Sequence, residues 1–210
     1  MSESKHPGTK ARLAASAISV FEEQGFHAAR VSDIAAAAGV GKGTFYLYFT
    51  NKEAVFHHLA DDFFGRLMGE TLGRFPSSEV RNRGDLAAQL GEMWHLILTR
   101  CRREPVLTSL ILRESAALGR EARERIETHL TAVATAITHY FGDLSDRGLV
   151  RDGIGPASAW AALGLIERAI YYAISIDPDK DAGALAQEFL SLELSGLCGA
   201  NPGTDFQSGN

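Results

Sequence analysis

The chain has 210 residues, of which 45% are hydrophobic, with 6 prolines, 2 cysteines and a formal net charge of −5. That length allows one compact domain or a small head with a larger body, and the composition, poor in proline, favours an all-helical fold. The two cysteines, Cys101 and Cys198, are too few and too far apart for a disulfide framework or zinc site, so we expect a reducing cytoplasmic location and no metal.

Neither a secretory signal nor a membrane span is expected. The first ten residues contain no apolar run of the kind that a signal peptide requires. The most apolar later stretch, residues 157–176, is interrupted by Glu167 and Arg168, which makes it a poor membrane span. We therefore expect no membrane partner.

The first predicted helices lie near residues 9–25 and 31–38. In the second of them, apolar residues at i, i+3, i+4 and i+7 form one stripe, made of Val31, Ile34, Ala35 and Ala38. Gly39 follows at the position where helices commonly end in a left-handed residue, a conformation that glycine adopts without steric cost. A tight turn is predicted there.

A second short helix is predicted at residues 41–48. Phe45 and Phe49 face inward in this pattern, whereas the outward positions carry Lys42, Gly43, Thr44, Tyr46 and Leu47. An amine, a hydroxyl, a phenol and a glycine that allows close approach are the groups that a reader of the DNA major groove needs. The pattern predicts a helix-turn-helix.

The remaining helices are predicted from apolar periodicity and turn residues. A capping box at Thr50 and Glu53 is expected to start a helix that continues to about residue 73. Further helices are expected near residues 85–102, 105–117, 118–147, 156–175 and 181–196. The glycine- and asparagine-rich end, residues 198–210, is predicted to be a flexible tail.

The N-terminal quarter resembles the TetR family of bacterial transcriptional regulators. The resemblance lies in the run AISVFEEQGF, then VSDIA, AGV, GKGTFYLYF and NKEAVF. It implies an all-α fold with an N-terminal three-helix helix-turn-helix head (residues 1–53) and a larger antiparallel helical body for effector binding and dimerisation (residues 54–197). It also implies a ligand-responsive regulator, most often a repressor released from a palindromic operator by its effector.

The resemblance assigns DNA-contact roles to individual head residues. The base-reading positions of the family's recognition helix are filled here by Lys42, Gly43 and Thr44, and those that reach phosphate or base by Tyr46 and Tyr48. Lys52 matches the lysine that clamps the DNA backbone, and Ser32 matches a position that contacts a base. Arg30 stands where many members have a capping threonine, which leaves that cap in doubt and adds a phosphate contact.

Charge is distributed unevenly between the two predicted domains. Residues 1–53 carry six Lys and Arg against five acids, whereas the rest of the chain is net acidic. One mildly basic head makes few phosphate contacts, and two heads on one duplex make enough for binding. This distribution favours a homodimer on double-stranded DNA.

In the family, the last two long helices pair with those of a partner. The corresponding interface residues here are Trp160, Leu163, Ile170 and Ile174. Glu167 lies on the same stripe, and a carboxylate on an apolar face needs a partner. It serves either an interface salt bridge or a polar anchor in a ligand pocket.

A fainter resemblance, in residues 104–130 and 164–175, is to the fatty-acid-degradation regulators of the family, which respond to acyl-CoA. An apolar tunnel with basic residues at its mouth would suit such an effector. The expected ligand-binding residues are Trp94, Leu98, Leu110, Ile111, Arg113, Tyr140, Trp160, Glu167 and Tyr171. Arg100, Arg102 and Arg103 are further candidates for the mouth, and an aromatic or cationic drug, as in regulators of multidrug efflux genes, is the competing effector.

Other classes of protein fit less well. The sequence has no Gly-rich phosphate loop, nucleophile elbow or metal-spaced cluster, so we expect no enzyme and no cofactor. Adjacent His57 and His58 point about 100° apart on a helix and cannot chelate one metal together. A non-enzymatic helical adaptor stays as the alternative, against which the groove-facing chemistry of residues 42–48 argues.

Overall fold

The computed structural model of the protein describes residues 7–114 and 119–198. Within those ranges all regular secondary structure is helical, which confirms the predicted all-α fold. The helices, in chain order, are α1 (Pro7–Ala28), α2 (Val31–Ala37), α3 (Lys42–Tyr48), α4 (Lys52–Glu70), α5 (Arg83–Arg103), α6 (Pro105–Ser109), α7 (Arg120–Asp146), α8 (Pro156–Tyr171) and α9 (Ala182–Cys198).

Three short turns of 3₁₀ or π geometry adjoin these α-helices. A 3₁₀ turn, Ser77–Glu79, precedes α5, and π-helical turns follow α6 (Leu110–Glu114) and α8 (Tyr172–Ile176). The single helix predicted over residues 105–117 is therefore a short α-helix that widens into a π-turn. Such turns are rare and often mark functional segments.

Two compact units divide the chain. The head unit comprises residues 1–65 and 104–129, and the body unit comprises residues 66–103 and 130–210. The predicted functional division at residue 53 stays a prediction, because the head unit also contains much of α4, all of α6 and the start of α7. The predicted tail lies outside the described residues except for Cys198, which ends α9.

The turn between α2 and α3 has the hydrogen-bond pattern that the sequence predicts. Gly39 has φ 65°, and its N–H donates to the Ala36 carbonyl at 3.0 Å. The N–H of Val40 reaches back to the Ala35 carbonyl at 2.9 Å. These two bonds form a Schellman motif, which ends α2 abruptly and lets α3 start in a new direction.

The start of α4 is capped and anchored by two adjacent side chains. The Ala54 N–H donates to Asn51 Oδ1 at 2.8 Å, so Asn51 supplies the cap and the predicted capping box at Thr50 is wrong. Lys52 Nζ donates to the carbonyl oxygens of Phe26 (2.6 Å), His27 (2.9 Å) and Ala29 (3.0 Å) at the end of α1.

Aromatic packing reinforces the same junction. The Lys52 ammonium lies 4.8 Å from the centroid of the Phe26 ring, and Phe26 packs edge-on against Phe56 of α4 with their centroids 6.0 Å apart. Both rings are buried. Because Lys52 satisfies carbonyls that have no helical donor, the end of α1 and the start of α4 form one fixed corner.

The core of the body unit is built by α5, α7, α8 and α9. Its centre comprises buried side chains such as Leu86, Leu98, Leu144 and Leu185. At Gly91 a Cβ would lie 3.3 Å from the Leu190 side chain, so glycine permits α5 and α9 to approach closely. The tertiary packing of these helices, more than their local propensity, fixes the unit.

One described segment, Pro156–Ile176, is long and apolar enough by composition to cross a membrane, with a mean hydropathy of 1.2. It contains Glu167 and Arg168, and its residues Leu163 and Ile170 are buried. Helices in protein cores have the same length and composition, so this segment is weak evidence for a membrane span.

Replacing Lys52 with Met should lower the free energy of unfolding by about 1–3 kcal/mol, because three carbonyl oxygens lose a charged donor while the apolar stem is retained. Thermal unfolding followed by circular dichroism measures the change. Lys42→Met is the control, since Lys42 is exposed and should change stability by less than about 0.5 kcal/mol. Equal melting temperatures for the Lys52 variant and wild type would contradict the anchoring role.

Candidate nucleic-acid interface

The two faces of α3 have the burial that the sequence predicts. Phe45 is fully buried and Phe49, which caps the helix, is 4% exposed. On the opposite face Lys42 and Gly43 are exposed, and Tyr46 and Leu47 are 56% and 40% exposed. We call the exposed positions Lys42, Gly43, Tyr46 and Leu47 the α3 outer face.

Aromatic contacts hold α3 in place from below. The rings of Phe45 and Phe49 lie 5.9 Å apart, and His58 of α4 lies 5.6 Å from Phe49. The Lys10 ammonium of α1 is 5.6 Å from the centroid of the Phe49 ring. The buried side of α3 therefore packs against side chains of α1 and α4, and this platform supports the outer face.

Electrostatics near this platform leave the histidine neutral. Burial, and then the charge of Lys10, lower the pKa of His58 below 6.5, although Asp62 and Asp61 oppose the shift. A neutral imidazole adds no charge at neutral pH. The positive charge on the outer face comes from Lys42.

Two flanking residues have different surroundings. Ser32 is half-buried, and its hydroxyl donates to Asp33 Oδ1 at 3.1 Å. Arg30 is the N-cap of α2 but makes no capping hydrogen bond through its side chain, which is exposed. The doubt about this cap is thereby resolved, since arginine does not supply it.

The two remaining candidate DNA-contact residues of α3, Thr44 and Tyr48, are half-buried.

Lys52 does not have the surroundings expected of a phosphate clamp. An ammonium group has three N–H donors, and Lys52 directs them at three carbonyl oxygens of the segment that ends α1. No donor is left for a phosphate in this arrangement. The physical role of Lys52 is to fix the corner from which the head projects α3.

The expected interface residues of α8 fall into two groups. Leu163 and Ile170 are only 5% and 2% exposed, so they pack inside the protomer and offer no surface to a partner. Trp160 is 43% exposed, and Ile174 is half-buried. Glu167 is also half-buried. Leu192 of α9, which sequence reasoning did not single out, is 61% exposed.

Two expected ligand-binding residues in the body unit are core residues whose polar atoms are already satisfied. The Trp94 indole donates to Glu193 Oε2 at 2.8 Å, and its ring stacks on Phe189 at 5.3 Å. The Tyr140 hydroxyl donates to Gln89 Oε1 at 2.9 Å. Burial, and then the charge of Glu193, raise the pKa of Tyr140 to about 12.

Glu193 is not among the residues predicted from the sequence, although its position in an apolar run could have indicated it. It is the single carboxylate in the run LSLELSGL of α9, the same kind of odd residue as Glu167. Burial raises the pKa of Glu193, and the hydrogen bond from Trp94 partly opposes this shift. A buried carboxylate with an indole donor is a structural polar pair inside the core.

The other expected ligand-binding residues are dispersed. Leu110 and Ile111 are buried in the head unit, whereas Leu98 is buried in the body unit. Tyr171 is half-buried, and the Arg168 guanidinium lies 4.8 Å from its ring centroid. The side chain of Arg113 lies outside the described residues.

Two of the candidate mouth arginines are engaged elsewhere. Arg102 donates to the carbonyl oxygens of Ala173 (3.0 Å), Lys180 (2.6 Å) and Asp177 (3.2 Å), which fixes the end of α8 against α5. Arg100 pairs with Glu70 at 3.4 Å. The expectation that Arg102 holds phosphates is therefore wrong, because its guanidinium donates to three backbone groups.

Among the described side chains, no group of three or more His, Cys, Asp and Glu residues lies close enough to hold a metal ion. The described structure also contains an ion-pair cluster at Asp61, Arg125 and His129 that sequence reasoning missed. Its members are 64 and 68 residues apart, so no local pattern links them.

Comparisons with known proteins agree with this geometry. Residues 13–59, which contain the helix-turn-helix, match the family model of bacterial regulatory proteins of the tetR family. The fatty acid metabolism regulator protein of Bacillus subtilis is 28% identical over 182 residues, which cover 86% of this chain and 91% of that protein.

Solved structures show the same fold. The fatty acid degradation regulator FadR from Bacillus halodurans has a TM-score of 0.77 and 23% identity, over 92% of this chain and 98% of that one. FadR from Bacillus subtilis in complex with stearoyl-CoA has a TM-score of 0.74 and 23% identity, over 89% and 98%. The chain therefore contains a segment of the tetR family of bacterial regulatory proteins at residues 13–59, and it is similar along most of its length to a bacterial fatty acid metabolism regulator.

Proposed function

We propose that the protein is a cytoplasmic repressor that binds a palindromic operator as a homodimer and is released by an acyl-CoA-like effector. The observation that carries the DNA-binding part is the α3 outer face, where Lys42, Gly43, Tyr46 and Leu47 are exposed above the buried Phe45. A core helix would bury these side chains, and a groove-reading helix presents them. The same exposure argues against a helical adaptor.

Base reading is assigned to the first turn of α3. The Lys42 ammonium suits the paired acceptors of guanine, and Gly43 lets the backbone approach the base edges. Thr44, Tyr46 and Tyr48 are assigned to phosphate or base, and Arg30 to phosphate. Ser32 is a weaker candidate, because its hydroxyl is engaged with Asp33.

Replacing Lys42 with Ala should weaken operator binding about 5- to 150-fold, since a specific base contact contributes about 1–3 kcal/mol. Tyr46→Ala should also weaken it. Fluorescence anisotropy with an operator obtained by selection from random duplexes measures the affinity. Arg120→Ala is the matched control, because this arginine is also exposed but lies on α7. Undiminished binding by a Lys42/Tyr46 double variant would refute the assignment of α3.

Dimerisation is assigned to the exposed side of α8 and α9. Trp160 and Leu192 are large apolar side chains at the surface of these helices, and small exposed residues accompany them, namely Ala157, Ala161, Ser191 and Ser195. Small residues let helices of two protomers approach closely. Because Leu163 and Ile170 are buried in the protomer, the proposed interface relies on Trp160 and Leu192.

Trp160→Glu should convert the dimer to monomers, because a charge buried at the interface would lack a partner. Sedimentation velocity without DNA measures the oligomeric state, and circular dichroism verifies that helical content is retained. Leu47→Glu is the control, since Leu47 is similarly exposed but lies on α3. A folded Trp160→Glu protein that remains dimeric would contradict this interface.

The acyl-CoA part of the proposal is supported by similarity along most of the chain. The relative that aligns with 86% of this chain is a fatty acid metabolism regulator, and the structure of FadR with stearoyl-CoA has the same fold. In the body unit, Leu98 is the buried apolar residue assigned to the acyl chain. Trp94 and Tyr140 would contact it only after releasing Glu193 and Gln89.

An effector that releases DNA must bind less tightly when operator is present, because coupling between two sites is reciprocal. We expect the Kd of stearoyl-CoA to rise about 5- to 150-fold with operator, which corresponds to a coupling of about 1–3 kcal/mol. Calorimetric titrations with and without operator measure this ratio. Free CoA and a cationic dye serve as comparison compounds. Equal affinities in both titrations would exclude stearoyl-CoA as the signal.

A further inference from the structure

Leu47 is the purely apolar side chain of the α3 outer face. It is 40% exposed, and the adjacent Tyr46 is 56% exposed. Among the described residues of the head unit, these two are the exposed large apolar side chains. The packing of α3 does not require a leucine at this position, because Phe45 and Phe49 supply the buried side of the helix. The outward part of Leu47 is therefore available for contact with a partner.

The chemistry of Leu47 restricts the kind of contact that it can make. Its side chain contains carbon and hydrogen only, so it neither donates to a phosphate nor pairs with the polar edge of a base. In the major groove, guanine, cytosine and adenine present donors and acceptors, and thymine adds a methyl group at C5. That methyl is the apolar group that an exposed leucine on a groove-reading helix can contact. Tyr46 differs, because its hydroxyl can bond to a phosphate or a base.

Gly43 provides room beside Leu47 on the same side of α3. The two residues are four positions apart in the helix, so they lie one above the other, about 6 Å apart along its axis. A helical side chain leans toward the N-terminus, which places the leucine over the turn that contains Gly43. Apart from the backbone of its own helix, a Cβ at Gly43 would meet no protein atom within 4 Å. The leucine and the bare glycine backbone thus form an open apolar recess, which we call the Leu47–Gly43 recess.

We propose that the Leu47–Gly43 recess receives the 5-methyl group of a thymine in each half of the operator, so that Leu47 determines specificity at that base. This inference rests on the proposed function, of which it names one recognised base. Lys42, which we assign to guanine, precedes Leu47 by five residues, or ~7.5 Å along the helix axis. Because successive base pairs rise by about 3.4 Å, we expect the thymine within about two base pairs of the guanine.

Replacing that thymine with deoxyuridine removes the methyl group and leaves every hydrogen-bonding atom of the base in place. We expect this change, made in both halves of a selected operator, to weaken binding by wild type about 15-fold, or about 4-fold for each methyl. For Leu47→Ala the same change should have an effect of less than about 2-fold, because the methyl has already lost its contact. Fluorescence anisotropy with a series of duplexes, each with one symmetric pair of thymines replaced, measures these ratios.

Two variants serve as controls for the leucine substitution. Leu47→Met keeps an apolar side chain of similar volume, so its loss of affinity on deoxyuridine should resemble that of wild type. Gln24→Ala truncates an exposed side chain of comparable size on α1, and it should keep both the operator affinity and the deoxyuridine effect. Circular dichroism verifies that all variants have the same helical content. Loss of the deoxyuridine effect in Leu47→Met would contradict an apolar contact.

Gly43→Ala tests the recess by filling it. The added methyl meets no neighbouring side chain, and alanine favours helix formation, so the melting temperature should not fall. The same methyl occupies the recess, so operator binding should weaken and the deoxyuridine effect should fall below about 2-fold. Wild-type operator affinity in Gly43→Ala would contradict the recess.

A gain of affinity provides a second, independent readout. When the thymine is exchanged for cytosine, with guanine opposite, the methyl is lost, and 5-methylcytosine restores a methyl at the same position in the groove. We expect wild type to prefer 5-methylcytosine over cytosine by about 4-fold for each half of the operator. Leu47→Ala should bind the two duplexes equally. An equal preference in wild type and Leu47→Ala would count against the contact.

Failure of this inference is distinguishable from failure of the proposed function. If wild type selects an operator from random duplexes but no thymine methyl contributes to its affinity, the protein binds DNA and the assignment of Leu47 is overturned. A deoxyuridine loss that persists in Leu47→Ala and disappears in Tyr46→Ala assigns the methyl to Tyr46 and overturns it as well. If no duplex is selected, the proposed function fails, and this inference fails with it.

Discussion

Three backbone carbonyl oxygens at the end of α1 have one donor in common, the ammonium group of Lys52. Gly25, with φ 73°, breaks the helical path of α1 just before these residues, so their carbonyls lack regular helical donors and the cation satisfies them. The chain between α1 and α4 contains α2, the Gly39 turn and α3. Closing the two ends of that segment at Lys52 gives α3 a fixed base, which a helix of seven residues would not have alone.

In the body unit, arginine side chains donate to backbone carbonyls in the same way as Lys52 does in the head unit. Arg102 binds three carbonyls near the end of α8, and Arg147 binds the carbonyls of Ser77 and Val80 before α5. The planar guanidinium suits this task, because its donors diverge in a fixed geometry. Arg102, which the sequence suggests as a phosphate ligand, thus stabilises backbone that lies outside regular helices. A basic residue near an expected site is informative only when its donors are known to be uncommitted.

Polar groups in the core of the body unit follow a related rule. Trp94 with Glu193, and Tyr140 with Gln89, form pairs that satisfy each other within an apolar environment. The sequence predicts that these aromatic residues line a ligand site. In the structure Trp94 connects α5 to α9, and Tyr140 connects α7 to α5. An effector that enters this region competes with existing hydrogen bonds, and that cost favours ligands that bury much apolar surface in return.

Local sequence patterns determined the helices and the two faces of α3. The i, i+3, i+4, i+7 stripe, Gly39 at the turn and buried Phe45 follow from periods of a few residues, so they are visible in the chain itself. The resemblance of the helix-turn-helix segment to the TetR family is local in the same sense, since it lies within residues 13–59. The Asn51 cap was missed because Thr50 and Asn51 are both good caps, and only the backbone path selects one.

Only the tertiary structure decided which partners the polar side chains bind. Lys52 reaches carbonyls 23 to 26 residues away, Asp61 reaches Arg125 over 64 residues, and Trp94 reaches Glu193 over 99. It also decided that Leu163 and Ile170 are buried within the protomer while Trp160 is exposed, although all three lie on one predicted stripe. Periodicity identifies the apolar side of a helix, but the neighbour that covers each part of it comes from distant sequence, which a short-range pattern does not contain.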